Sequence, residues 1–224
     1  MAGQEKQKLP LGPVGALKRP DYQPGNYLAY LDLITEQRYL LQRLRRHNRY
    51  LHGWGVVCGL KVVPGNDARR PWQILVCPGY AIGPYGDEIK VDHAVPVDVR
   101  DYLWLQPLDA DPPPSVAYVG ISYTESLKEP VSSRAPECGC HETEEFSRIC
   151  DGFRVDVLWS LPPGQDSSPV DLCNPQLQVC PACPQTPYII LAYVQLPGGQ
   201  ADPIRPSAIN NLTARRTALV VQNK

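Results

Sequence analysis

The cysteines are the residues whose type and spacing point most directly to chemistry. Cys180 and Cys183 form a C-x2-C pair, a spacing that lets two thiolates meet one metal ion. Cys138 and Cys140 supply a second, C-x1-C pair, and four such ligands complete a tetrahedral site. Cys150, Cys173 and His141 are spare ligands in the same segments. One structural zinc is the expected occupant. An iron–sulfur centre, disulfides and free thiols remain alternatives. Cys58 and Cys77 lie in apolar stretches and read as core residues.

Six of the eight cysteines fall in two segments without hydrophobic period, 128–150 and 162–187. Loops of that length inside a domain need pinning, which the metal would supply. A thioredoxin-like reading of the C-x2-C is weak, because no βαβ pattern surrounds it.

Catalytic patterns are missing. There is no G-x-S-x-G elbow, P-loop or G-x-G-x-x-G, and His141-Glu142 lacks the second histidine of a zincin. His47 and His52 are five apart and do not share an α-helical face, so His52 reads as support for a helix-to-strand corner, and His93 is isolated. Asp87, Glu88 and Asp92 cluster at a hairpin, where an acid/base role would need a pocket. The chain is therefore expected not to be an enzyme.

The elements that carry these residues are read from pattern. The chain has 224 residues, 43% of them hydrophobic, enough for a real core. Lys and Arg number 22 against 23 Asp and Glu, so the excess positive charge of a nucleic-acid binder is absent. The apolar runs are too short to span a bilayer, and the first twenty residues lack a signal-peptide apolar stretch. A cytoplasmic protein with no membrane insertion is the expectation. Twenty-five prolines interrupt helices and central strands, favouring short strands joined by loops.

Residues 1–26 read as an extended arm, and 27–224 as a single β-rich domain. One long helix is expected over 33–52, started by Asp32 or Thr35 and ended by Gly53. Leu33, Leu40, Leu44 and Leu51 return to one face of it, beside Leu41. Arg38, Arg43, Arg45, Arg46 and Arg49 crowd the same helix, as either a phosphate or acidic-partner surface or a solvated face. Strands are expected at 54–63, 72–77, 88–99, 116–123, 153–159 and 188–196. Residues 206–221 read as a short helix or docking segment. The fold class is thus mainly β (α+β): an antiparallel β domain preceded by an arm and one helix, with Cys-rich insertions. Asn211 opens an N-x-T sequon, relevant only in a secretory pathway. Twelve tyrosines and four tryptophans suit partner surfaces as well as sheet faces.

The block 26–91 resembles proteins of contractile injection systems and phage-tail-like particles, particularly accessory components near the baseplate. The motifs HNRYLHGWGVVCGLKV and PGYAIGPYGDEI carry that resemblance. It implies a structural, non-catalytic subunit docked on baseplate, sheath or tube proteins of a large particle, through the arm and helix. Two other readings stand beside it. One is a free-standing zinc-stabilised binding module; the more distant is a carbohydrate-active or hydrolytic β protein.

Overall fold

The computed structural model describes residues 17–105, 115–132, 144–163, 165, 184–199 and 201–218. Among these residues the protein is mainly β, with three antiparallel sheets and one long helix. Helix α1 (Tyr30–His47) is followed directly by a π-helical turn, Asn48–His52.

Two of the sheets are built from the same three bent stretches of chain. Strands β1 (Gly55–Gly59), β4 (Gly79–Ile82) and β5 (Glu88–Val91) form one sheet, in the order β1-β4-β5. Strands β2 (Val62–Pro64), β3 (Gln73–Val76) and β6 (Val95–Asp98) form the other, in the order β2-β3-β6. The expected single strands 54–63 and 88–99 are therefore each broken in two. At the first break Gly59 and Leu60 take φ +63° and +53°. Gly59 has no room for a side chain there, since a Cβ would lie 2.2 Å from the Pro78 carbonyl oxygen. The Leu60 amide donates to Pro78 O at 3.0 Å and the Cys77 amide to Lys61 O at 2.8 Å, so both strands change sheet at one level. Leu60 itself is fully buried, which fixes an otherwise costly left-handed residue by packing. Strand β4 falls between two turn signals and is only four residues long, too short for its alternation to declare it.

The third sheet has the order β10-β9-β7-β8, with β7 (Val116–Ser132), β8 (Glu144–Leu158), β9 (Ile189–Gln195) and β10 (Ile209–Asn210). Central β9 reads as a continuous apolar run because both of its faces are covered; Ile189, Ile190, Leu191 and Ala192 are all fully buried. Ile189, Leu191 and Ala192 form the core between the sheets with Ile74, Val99 and Ile121. Each such side chain contributes roughly 1.5–3 kcal/mol by leaving water.

Strands β7 and β8 are much longer than expected, and they pair out to Ser132↔Glu144. Residues 128–132 and 144–150, expected as loop, thus belong to a two-stranded ribbon that continues beyond the core. Pro130 and the charges around it hide the alternation.

The C-terminal segment docks rather than coiling. Only Pro206–Ala208 forms a short 3-10 turn. The Asn210 carboxamide oxygen then accepts the amides of Leu212 and Thr213, diverting the backbone from a helix. Further on, the Val56 amide donates to Arg216 O at 2.9 Å and the Ala218 amide to Val56 O at 3.0 Å. Residues 216–218 thereby lie parallel to β1 along its edge.

Candidate interaction surface

Helix α1 starts at Tyr30, three residues before the expected position. Ala29 is its N-cap, and its amide donates to the Asp32 carboxylate at 3.0 Å. Asp32 thus caps the helix from inside the first turn rather than preceding it, near the positive end of the dipole. The Thr35 hydroxyl bonds back to Leu31 O, so Thr35 too is interior.

The helix turns its polar edge to the β domain and its leucines outward. At 100° per residue, the stripe of Leu33, Leu40, Leu44 and Leu51 lies roughly a third of a turn from Arg45. Arg45 is the residue that reaches the domain. Its Nε lies 2.6 Å from Asp87 Oδ1, and its Nη2 3.2 Å from Glu125 Oε1. Its guanidinium sits 5.5 Å above the Tyr123 ring. One turn on, buried Asn48 donates to Gly86 O at 3.1 Å. Gly86, at φ +85°, lets the hairpin approach this closely, since a Cβ there would lie 2.0 Å from the Arg45 carbonyl oxygen. The Tyr123 hydroxyl bonds to Glu125 and Asp151. Burial first, then these carboxylates, push its phenol well above the ordinary tyrosine range.

No residue of α1 is buried. Leu40 is 58% exposed, Leu44 48% and Leu51 57%, so the leucine stripe is not part of the core. The N-terminal end is barer still: Tyr27 is 99% exposed, Tyr30 74% and Leu31 71%. Of the five arginines, Arg45 is spent within the chain, while Arg38, Arg43 and Arg46 are exposed, Arg43 beside the leucines and the other two further round the helix. Half-buried Arg49 stacks over the Tyr50 ring, with its guanidinium 5.1 Å from the centroid.

The π-helical turn changes the reading of the histidines. Its i→i+5 repeat brings His47 and His52 together, with ring centroids 5.8 Å apart, where an α-helix would separate them. His52 and His93 are both exposed. The three carboxylates at the hairpin do not act together. Asp87 is buried against Arg45, Glu88 faces Asn48 and the Tyr80 hydroxyl, and Asp92 pairs with Lys90 at 2.8 Å. Burial, then Glu88, raises Tyr80 to about 12.

Cys138, Cys140, His141, Cys173, Cys180 and Cys183 lie outside the described residues. Cys150 is placed in β8 opposite Ser126, exposed on the ribbon rather than in a loop. Cys58 is exposed and Cys77 half-buried, so neither is the core residue that its apolar neighbours suggest; beyond Val56 a bulge in β1 disturbs the alternation. Among the described residues no group of three or more histidines, cysteines or carboxylates is positioned to hold a metal. Nor is any described helix long and apolar enough to cross a membrane.

No protein-family model matches the chain, and no curated protein matches it. A solved structure does. The type VI secretion system TssK–TssF–TssG baseplate subcomplex, seen by cryo-electron microscopy, contains a chain similar to this one over 81% of its length. The two are 11% identical with a TM-score of 0.40, and the aligned part spans 57% of that chain.

Sequence reasoning missed two clusters. The first is the junction of Arg45 with Asp87, Glu125, Tyr123 and Asp151, whose members are spread along the chain and share no motif. The second is the C-terminal clamp. Arg215 donates to Leu60 O at 2.9 Å and also to Gly59 O, while Arg216 donates to Trp54 O at 3.1 Å and stacks 3.9 Å above the Trp54 ring. Burial lowers both guanidiniums from their ordinary values. Asn211, read as a sequon residue, uses its carboxamide to accept the Val62 amide at 2.8 Å and donate to Val62 O at 3.0 Å.

Proposed function

We propose that the chain is a non-catalytic structural subunit of a contractile-injection-type particle, working in the cytoplasm and docking through residues 26–53. One observation carries the reading. A helix rooted in the β domain through Arg45 and Asn48 presents leucines, tyrosines and arginines outward. An amphipathic helix normally buries its apolar stripe against its own domain. Here that stripe is left for a partner, and an apolar surface carrying arginines suits an acidic, apolar one. The motifs at 47–62 and 78–89 add the kind of assembly, and they include the turn and hairpin that anchor the helix. The β domain fixes the orientation of the helix, and one zinc on Cys138, Cys140, Cys180 and Cys183 would tie the two Cys-rich segments together.

The test is incorporation. A chain lacking residues 1–26, or carrying Tyr27→Ser with Tyr30→Ser, is expressed in the native host and followed by sedimentation. Loss from the heavy fractions, with the free protein still folded, is the expected result. Unchanged incorporation of both variants would sink the docking role.

A further inference from the structure

We infer that the outward stripe of α1 is covered by the β7–β8 ribbon of a second copy of this chain, in a two-fold pairing where each helix lies on the other's ribbon. The inference rests on the helix being a contact surface, as above, and names what occupies its C-terminal half.

Three observations on the ribbon lead here. Side chains alternate across a strand, so the face of β7 carrying buried Ala117, Val119 and Ile121 continues outward to Leu127. Leu127 lies opposite Ile149 of β8, which is 66% exposed. A core-facing surface thus runs on past the core with no layer over it among the described residues, and a two-stranded ribbon on its own is marginal in water. The charges flanking this apolar pair are Glu125 and Asp151, which pair with each other, on one side, and on the other Glu129, which takes φ +58° between two ladder pairs. Glu125 already meets Arg45, Asp151 meets Tyr123, and Glu129 lies 3.5 Å from Arg148, yet the face stays acidic in balance. The helix stripe is its complement, with exposed Arg43 beside its leucines.

The lengths are also compatible. From Arg45 back to Leu33, the first leucine of the stripe, the helix runs about 18 Å at 1.5 Å per residue. From Glu125 to Ser132 the ribbon runs about 23 Å at 3.3 Å per residue. Both leave the domain at the Arg45–Glu125 contact. A two-fold axis beside that junction sets each helix on the partner's ribbon and closes the assembly. The aromatic end of the helix, Tyr27 and Tyr30, stays open for the particle.

Sedimentation velocity on the purified full-length chain provides the test. A dimer is expected, weakened about tenfold or more by Ile149→Asp and equally by Leu44→Asp. Both side chains are exposed in the single chain, so circular dichroism should be unchanged. Arg43→Glu and Glu129→Arg should each weaken the dimer, and mixing the two variants should restore it, because both interfaces of the mixed dimer regain opposite charges. A wild-type chain that stays monomeric at its highest soluble concentration would overturn the inference. So would a dimer that tolerates Ile149→Asp, or one in which mixing restores nothing. Particle incorporation is read separately: a monomer that still sediments with the particle refutes the pairing alone. A ribbon-dependent dimer absent from the particle supports the pairing and refutes the docking reading.

Discussion

Arg45 and Asp87, 42 positions apart in sequence, meet with Nε 2.6 Å from Oδ1, and the two side chains are 12% and 2% exposed. This contact fastens an otherwise bare helix to the β4–β5 hairpin. Its worth lies less in net stability than in direction, because a buried pair recovers little more than its desolvation cost. Removing one partner is a different matter. Asp87→Ala leaves the half-buried guanidinium to Glu125 and the Tyr123 ring and is expected to cost about 3 kcal/mol in urea unfolding. Hydrogen exchange along α1 should rise more than exchange in β9. Wild-type protection along α1 in Asp87→Ala would show that the helix is held by something else.

The Asn211 carboxamide stands in for a neighbouring strand by pairing with both the N–H and the C=O of Val62. Asn211→Ala leaves both groups without that partner and is expected to lower stability by about 1–3 kcal/mol. Thermal unfolding checks this, and Asn211→Asp should recover only the bond from the Val62 amide. A wild-type midpoint in the alanine variant would contradict the bracing role.

Acid should probe Asp98. The Arg100 guanidinium bonded to it holds its carboxyl below the usual value, against an opposing effect of burial. A folded-state pKa below the unfolded one contributes stability above the unfolded value, near 4, and loses it as pH falls through the folded value. Asp98→Asn should therefore be less stable than wild type at neutral pH, with the gap closing as pH drops below about 4. A gap that is constant with pH would mean that the ion pair contributes nothing.

Metal content tests the cysteine reading. If Cys138, Cys140, Cys180 and Cys183 hold one zinc, purified protein should carry one equivalent by elemental analysis. Cys180→Ser with Cys183→Ser should remove it. Protein purified with zinc in the medium yet free of metal would end that proposal.

Much of the fold was legible because its strands are marked by composition. The apolar run of β9 and the valine alternation near β6 announce themselves. The sheet-changing bends were not, because they depend on the Gly59 and Pro78 backbones meeting across a hairpin, which no local pattern encodes. The leucine stripe shows the limit most clearly. Period 3.6 says that Leu33, Leu40 and Leu44 share a face, and they do, but not which way that face points. Direction came from Arg45, whose partners lie 42 and 80 positions away. Cys58 fails for a related reason, since a bulge in β1 after Val56 shifts which side chains face inward. The ribbon was hidden because Pro130 and the charges of its outer half obscure the period-two alternation that marks a strand.

The central claim is that this chain works as a part of a particle. The most direct measurement is sedimentation of a tagged copy from native host lysate, with mass spectrometry of the heavy fractions. Co-migration with a very large assembly containing sheath and tube proteins is the expected result, lost when Tyr27 and Tyr30 are replaced by serine. A chain found only in light fractions, with no large partner, would contradict it.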